Sequence, residues 1–146
     1  MARVQIDLPS EYAFHTQIPL RVDDINFGGH MGNDAVLTLA QEARTRFFAH
    51  FGFTEQDVNG FGILIADAAI VYRAQAFYGD ILGVDLGITD IGRKGCDLTY
   101  LFTNTASGTE VARAKTAIVF FDYGTQKVVR IPPVFLHRLG LQELTE

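Results

Sequence analysis

The chain has 146 residues, of which 48% are hydrophobic and 20% are charged, the size and composition of one globular domain with its own core. Its net charge of −5 argues against nucleic acid as the main partner, because phosphate backbones are bound by basic surfaces. No apolar stretch of the sequence approaches the roughly 20 residues of a membrane span, and the first residues lack the pattern of a signal peptide. We therefore expect one domain over residues 1–146, in a soluble, cytoplasmic protein that binds neither nucleic acid nor membrane.

Cysteine and histidine usage argues against a metal site. Cys96 is the only cysteine in the sequence, and one thiol makes neither an internal disulfide nor a thiolate zinc site. A small strand residue is a simpler interpretation of Cys96 than a nucleophile. The four histidines are scattered along the sequence with no pair at ligand spacing. We expect no metal and no cofactor.

The first part of the sequence predicts a strand, a loop and a long helix. Loose alternation of apolar residues predicts the strand over 14–22. Residues 23–34 hold three glycines and five Asp or Asn, a composition typical of a structured loop. Apolar side chains at helical spacing then predict a helix from Asn33 to about His50, with Asn33 or Asp34 as its cap. The apolar face of this helix consists of Val36, Leu39, Ala40, Ala43 and Phe47.

The remaining sequence predicts a meander of strands. A short helical turn capped by Thr54 comes first, at 54–57. Strands are then predicted at 62–77, 81–91, 96–104, 110–122 and 127–131, followed by a closing helical turn at 134–139. Strands joined by tight turns are antiparallel, and a lone helix beside such a meander is best buried when the sheet curls around it. We therefore expect an α+β fold in which an antiparallel sheet of five to six strands wraps a long central helix.

The loop and the start of the helix carry a motif. Residues 24–33 read Asp-Ile-Asn-Phe-Gly-Gly-His-Met-Gly-Asn, and Glu-Ala-Arg follows at 42–44. This resembles the 4-hydroxybenzoyl-CoA-thioesterase-like branch of hotdog-fold acyl-CoA thioesterases, which shows Asp-x-Asp-x-x-Gly-His-Val-Asn-Asn and then Glu-Ala-Arg. Tyr-Gly-Asp at 78–80 and Ala-Arg-Ala-Lys-Thr-Ala at 112–117 fit as well, so the resemblance covers roughly residues 18–132. It implies a hotdog fold and hydrolysis of an acyl-CoA thioester, with coenzyme A present only as part of the substrate.

Thioester hydrolysis needs a hydrogen-bond donor for the developing oxyanion. The N-terminus of a helix offers unpaired N–H groups and the positive end of the helix dipole. The amides of Met31, Gly32 and Asn33 stand at this position in the sequence, so we predict that the oxyanion is held there.

The motif departs from the family at the residue that usually supplies the carboxylate, since this chain has Asn26. An amide neither takes a proton at neutral pH nor attacks as a carboxylate would, although it can orient a water molecule or the thioester carbonyl. Glu42 is the first substitute, because it lies beyond the apolar stripe of the helix and other hotdog thioesterases carry an acidic residue there. Glu42 pairing with a basic residue is an equal alternative.

Three other substitutes stay open. Asp34 is the second, although a cap or a first-turn partner of the helix dipole is its simpler role. His30 is a possible base near neutral pH, or a brace that holds the loop through its ring nitrogens. Asp23 or Asp24 is the fourth, with bracing of the loop as the simpler role. We expect His30 to share one pocket with Asn26, Asn33 and Glu42.

Substrate contacts are expected from the loop and from cations at the pocket mouth. In the loop, these are Phe27, Gly28 and Gly29, whose glycines allow close approach. Because coenzyme A carries phosphates, four cations are further candidates, each with a solvated surface charge as its simpler role. Arg93 and Lys94 lie in a glycine-flanked turn, and Arg113 and Lys115 share a strand face.

In the family, two protomers pair through their sheets and the active site lies between them. The apolar stretch at 62–71 carries few charges, and an uncovered strand of this kind invites pairing. We expect a homodimer or a homotetramer of two dimers. Two other functions stay open: a non-hydrolytic acyl-CoA or acyl-carrier binding protein, and a hotdog dehydratase or hydratase that would use His30 with Glu42.

Overall fold

The computed structural model describes residues 1–143 and has two helices among six strands. In chain order the elements are β1 (Phe14–Pro19), α1 (Ala35–His50), β2 (Gly62–Tyr72), β3 (Ile81–Thr89), β4 (Gly95–Asn104), β5 (Glu110–Asp122), β6 (Lys127–Val129) and α2 (Pro133–Arg138). No helix within this described part of the chain is long and apolar enough to cross a membrane.

The strands form one antiparallel sheet in the order β1-β3-β4-β5-β2, with β6 paired to the end of β5. The inner face of the curled sheet packs on α1, whose apolar stripe is fully buried. This arrangement confirms the predicted α+β architecture of a long helix wrapped by a sheet. Since β2 ends the strand order, its second edge has no partner strand among residues 1–143.

The core lies between the α1 stripe and alternate residues of the three central strands. Large side chains that are less than 2% exposed fill it, among them Phe47, Phe48, Leu82, Leu86, Leu98, Tyr100, Phe102 and Phe120. Phe135 of α2 closes the end of the core and stacks on Phe48, with ring centroids 5.8 Å apart. Burying apolar area of this kind is the main source of stability in such a fold.

One polar network crosses the core. Arg44 of α1 donates a hydrogen bond to Glu55 (3.3 Å) and another to the hydroxyl of Tyr100 (3.2 Å). That hydroxyl also bonds to Thr116 at 2.8 Å. Burial raises the pKa of Tyr100, outweighing the opposite effect of the Arg44 charge, so the phenol keeps its proton. The network thereby ties the helix to both the sheet and the chain that follows the helix.

Two predicted strands end earlier than expected. β1 stops at Pro19 instead of residue 22, because proline lacks the N–H that would continue the ladder, and Val22–Asp24 forms a 3₁₀ turn. β2 stops at Tyr72 instead of residue 77, because the chain turns away from the sheet and reaches the loop that precedes α1. There the carbonyl of Ala76 accepts a hydrogen bond from the Met31 amide at 2.7 Å.

Two predicted local features are wrong. Residues 54–57 form a bend and not a helical turn, although Thr54 Oγ1 accepts the Asp57 amide at 3.0 Å as a cap would. Helix α1 begins at Ala35, and neither Asn33 nor Asp34 caps it. Asp34 precedes the helix with helical angles (φ −72°, ψ −26°), and its side chain accepts no first-turn amide, because capping requires an extended backbone at that residue. The other boundaries differ by one or two residues.

Candidate active site

The loop between β1 and α1 is a tight turn built around Asn26. The backbone amide of Asn26 donates to the carbonyl of His30 at 2.9 Å. The amide of Gly29 donates to the backbone carbonyl of Asn26 at 3.0 Å. The side-chain Oδ1 of Asn26 accepts the amide of Gly28 at 2.9 Å. Gly29 has φ +83°, a conformation that a residue without Cβ adopts readily. Asn26 therefore organises the turn through its backbone and its side chain.

Two of the three predicted oxyanion amides are already engaged. The Met31 amide donates to the carbonyl of Ala76 at 2.7 Å, and the Gly32 amide donates to the carbonyl of Asp24 at 2.9 Å. These bonds anchor the loop to its neighbours and correct the expectation for Met31 and Gly32. Among residues 1–143, the Asn33 amide has no backbone acceptor. Of the three predicted amides, that of Asn33 is therefore the one that remains for a ligand at the start of α1.

A cavity of about 590 Å³ lies between this loop and the chain that follows β2. It is lined by Asn26, Phe27, His30, Met31, Asn33, Tyr72, Arg73, Ala74 and Gln75. The structure thus brings together five predicted site residues, which are Asn26, Phe27, His30, Met31 and Asn33. Sequence reasoning did not single out Arg73–Gln75, because no local pattern shows that the end of β2 turns toward the loop. The one hint is the unusual length of the apolar stretch that precedes them.

The end of β2 is tied to the start of the helix by a side chain. The hydroxyl of Tyr72 donates to the carbonyl of Asn33 at 2.9 Å. Tyr72 is half exposed and Phe27 is fully exposed, so two aromatic rings stand at the cavity with one face open. Together they provide an apolar wall beside a set of polar groups, as in many small-molecule sites.

The His30 and Asn26 side chains flank Gly28. A Cβ atom placed on Gly28 would lie 3.3 Å from Asn26 Oδ1 and 3.4 Å from His30 Nε2. His30 is half buried, and its Nδ1 lies 3.1 Å from the carbonyl of Met31. Gly28 therefore leaves open the space between the two polar side chains.

The structure does not bring Glu42 to this cavity within one chain. Glu42 is exposed on α1 and accepts a hydrogen bond from Arg46 Nε at 2.9 Å. It lines a separate hollow between α1 and β1, together with Arg21 and Thr45. Arg46 also donates to the carbonyl of Gln17 at 2.9 Å. Within one chain, Glu42 therefore pairs with a basic residue, Arg46, which is the alternative that the sequence left open for it.

The remaining acidic candidates lie around the base of the loop. Asp24 is buried, and its Oδ2 accepts the amide of Arg21 at 2.8 Å, which is the bracing role expected of it. Asp34 is exposed and folds back over Gly32, where a Cβ would lie 2.5 Å from Asp34 Oδ1. Asp23 is exposed. None of the three lines the cavity.

Arg113 and Lys115 lie on the outer face of β5 and are both paired. Arg113 donates twice to Glu110, at 2.8 and 3.1 Å, and this bond lowers the pKa of Glu110. Glu110 also pairs with Arg73 at 3.3 Å. Arg113 is therefore connected to the lining of the cavity only through Glu110 and Arg73. Lys115 bonds to Asp67 at 2.6 Å, and this bond lowers the pKa of Asp67.

Arg93 and Lys94 are exposed in the turn before β4, at the far end of the sheet from the cavity. The start of β4 lies opposite Val119 of β5, whereas Tyr72 lies opposite Ala112. Seven positions of β5 separate these two pairings, or roughly 23 Å at the rise of a strand. Within one chain the two cations are too far away to contact a ligand in the cavity unless that ligand is very long.

Within residues 1–143, no group of three or more His, Cys, Asp or Glu side chains is placed to hold a metal ion. Cys96 is buried, and burial raises the pKa of its thiol to about 12. A thiol in this setting stays protonated and is inert as a nucleophile.

The sequence matches the family model of the thioesterase-like superfamily over residues 20–139. This match covers the loop that builds the cavity, both helices and the five strands that follow β1. No relative is found among curated protein sequences.

Solved structures share the fold over most of their length. A 1,4-dihydroxy-2-naphthoyl-CoA thioesterase from Synechocystis has a TM-score of 0.80 at 22% identity, covering 87% of this chain and 95% of that one. A hypothetical protein from Aquifex aeolicus has a TM-score of 0.78 at 22% identity, covering 86% and 98%. A DHNA-CoA thioesterase from Staphylococcus aureus has a TM-score of 0.72 at 20% identity, covering 80% and 78%. These similarities confirm the predicted hotdog architecture.

Proposed function

We propose, from the premise that the chain belongs to the thioesterase-like superfamily, that it hydrolyses an acyl-CoA thioester to the free acid and coenzyme A. One observation carries the proposal: Asn26, His30 and Asn33 line one cavity at the start of α1. A cavity at a helix N-terminus that holds polar donors, a titratable side chain and an apolar wall suits a polarised carbonyl.

The Asn33 amide is the proposed oxyanion donor. It stands two residues before α1, where the helix dipole favours negative charge. The hydroxyl of Tyr72 holds the Asn33 carbonyl and thereby fixes the peptide on the far side of that residue. Loss of one donor of this type typically lowers kcat by about 10²- to 10³-fold.

Water is the only other reactant of the proposed hydrolysis, no metal or cofactor takes part in it, and coenzyme A enters as part of the substrate. The apolar wall of Phe27 and Tyr72 would contact the acyl group. Gly28 and Gly29, the other two predicted loop contacts, follow Phe27 in the loop but lie outside the lining of the cavity.

We further propose that the functional unit is a homodimer paired through β2. The middle of this edge strand, 64–68, is exposed in one chain although four of its five residues are apolar. An unpaired apolar edge invites a second strand. A symmetric antiparallel pair would place the Gly62 end of one β2 beside the Tyr72 end of the other.

Such a dimer would also bring the distant cations to the site. The turn with Arg93 and Lys94 lies at the Gly62 end of its own sheet, and so it would approach the cavity of the other subunit. There the two cations would contact the coenzyme A phosphates. A tetramer of two such dimers is the larger assembly proposed.

Thiol release from short, long and aromatic acyl-CoAs tests the function. We expect wild type to release thiol, and Asn26→Asp, which restores the usual carboxylate, to retain or raise that rate. Glu42→Gln tests the first substitute, with Glu11→Gln as a control at another exposed carboxylate. A fall in kcat of about 10²-fold or more in Glu42→Gln alone would assign the base to α1.

The result that contradicts hydrolysis is a wild type that binds acyl-CoA without releasing thiol. Asn26 favours this second function, a non-hydrolytic acyl-CoA binding protein, because its amide cannot act as the base. Activity that emerges only in Asn26→Asp would establish it. A dehydratase would pair His30 with Glu42 across the dimer, and it has less support because the motif around His30 does not resemble that branch.

A further inference from the structure

We infer that His30 is the general base that activates water, in place of the carboxylate that Asn26 replaces, and that Asn26 acts as a hydrogen-bond donor to the reacting group. The inference rests on the proposed thioesterase function and names the residues that would perform it. Hydrogen bonds within the loop determine which atoms of these two side chains carry hydrogens.

One hydrogen bond fixes the tautomer of His30. Its Nδ1 lies 3.1 Å from the carbonyl oxygen of Met31, and a carbonyl can only accept a hydrogen bond. Nδ1 must therefore carry a hydrogen, and in the neutral ring Nε2 is left with a lone pair. Within residues 1–143, no donor lies against this Nε2. The ring is thus held by one nitrogen and is basic at the other.

The position of the Nε2 lone pair decides whether it can reach a reactant in the cavity. His30 lines the cavity, and its Nε2 lies 3.4 Å from the point where a Cβ of Gly28 would stand. Because Gly28 has no side chain, nothing at residue 28 crowds this nitrogen. A general base has to reach the proton that it removes directly or through one water, and His30 lines the cavity in which that water would be held.

One hydrogen bond also fixes the orientation of the Asn26 side-chain amide. Its Oδ1 accepts the amide hydrogen of Gly28 at 2.9 Å. An NH₂ group has no lone pair that could accept that bond, so the oxygen and nitrogen of the side chain are unambiguous. The oxygen faces the turn, and Nδ2 is left to donate. Asn26 is therefore suited to polarise a carbonyl or to hold the attacking water.

Within residues 1–143 of one chain, no carboxylate lines the cavity. Glu42 lines another hollow and is paired with Arg46, and Asp34 lies outside the lining. Among the side chains that line the cavity in the described chain, Arg73 has only hydrogen-bond donors, and the Tyr72 hydroxyl donates to the Asn33 carbonyl. His30 is the titratable side chain there that presents a lone pair, on Nε2.

The resulting reaction is balanced with water alone. Nε2 of His30 takes a proton from water while the water oxygen bonds to the thioester carbon, and the carbonyl oxygen becomes an oxyanion held by the Asn33 amide and Asn26 Nδ2. When the intermediate collapses, the carbon–sulfur bond breaks and the proton on Nε2 passes to the departing sulfur. The products are the carboxylic acid and the thiol, and His30 returns to its neutral form.

The test uses His30→Asn, whose amide nitrogen can take the place of Nδ1 and still donate to the Met31 carbonyl while Nε2 is lost. We expect kcat on acyl-CoA to fall by about 10²-fold or more, with KM within about threefold and the melting temperature close to wild type. His137→Asn, at an exposed histidine of α2, is the matched control and should keep wild-type kcat. In His30→Ala, added imidazole should raise kcat in proportion to its concentration.

A His30→Asn enzyme with kcat within about threefold of an active wild type would overturn the assignment and leave the thioesterase function standing. So would an equal rise of kcat with imidazole in wild type and in His30→Ala. A wild type that hydrolyses none of the acyl-CoAs would overturn the thioesterase function itself. The wild-type rate therefore separates failure of the proposed function from failure of the proposed base.

Discussion

Gly28 and Gly29 are adjacent in the loop but are glycines for different reasons. Gly28 has no unusual backbone angle, and the space at its Cα is bounded by Asn26 Oδ1 and His30 Nε2. Gly29 has φ +83° and nothing within 4 Å of an added Cβ. The first leaves the side chains of Asn26 and His30 uncrowded, whereas the second permits the turn.

These two roles predict different outcomes for the same substitution. Gly28→Ala should lower kcat/KM by about tenfold or more with little change in stability, because the methyl group would enter the space between the two polar side chains. Gly29→Ala should destabilise the fold by about 1 kcal/mol, since a side chain disfavours positive φ. Thermal unfolding and thiol release on both variants check this. Equal losses of stability in the two would contradict it.

At the scale of elements, α1 is attached to the sheet by both an apolar stripe and the Arg44 network. The side chain of Arg44 is 7% exposed and that of Glu55 is 18% exposed. Arg44 belongs to the Glu-Ala-Arg motif, and its contacts are all internal. This motif residue therefore serves the packing of the helix, which in turn determines where the start of α1 meets the loop.

Arg44→Met should destabilise the protein by about 3 kcal/mol, because it leaves the partly buried Glu55 without its cationic partner and with only the Thr45 hydroxyl bonded to it. Arg46→Met, on the exposed face of the same helix, should cost about 1 kcal/mol or less. Urea unfolding of the two variants measures the difference. Adding Glu55→Gln to Arg44→Met should restore part of the loss, since the unpaired charge is removed. No recovery in the double variant would argue against this account.

At the scale of the whole molecule, the unpaired edge of β2 and the open cavity lie side by side. Tyr72 belongs to both, as the last residue of the strand and a wall of the cavity. A second copy on this edge would therefore cover apolar surface and also enclose the site. This connects the proposed dimer to the proposed activity.

Ala68→Glu tests that connection, because Ala68 is exposed at the edge of one chain but would be buried in the pair. We expect the wild type to have the mass of a dimer or tetramer, and Ala68→Glu to shift toward the monomer and lose activity in proportion. Ala106→Glu, at an exposed alanine in the turn after β4, is the control. Light scattering with size-exclusion chromatography measures the mass, and an unchanged mass in Ala68→Glu would contradict pairing through β2.

Much of this architecture was readable from periodicity and turn residues. The apolar stripe of α1 and the alternation of β3, β4 and β5 report which faces are buried, and glycine-containing turns mark where the strands reverse. The candidate loop was identified for the same reason, since its composition excludes a regular element. Asn26, His30 and Asn33 share a cavity because all three belong to this short local segment.

The tertiary structure decided what local patterns cannot encode. The amides of Met31 and Gly32 are engaged because distant and neighbouring carbonyls meet them, and Glu42 lies in another hollow because the direction of a helical side chain depends on what the helix packs against. By itself the sequence determined the strands, the helix, the loop and the missing carboxylate at Asn26, since these depend on residue type and spacing. Only the folded chain determined which hydrogen bonds are occupied, and hence that Nε2 of His30 remains available, because hydrogen bonding between segments depends on their approach in space.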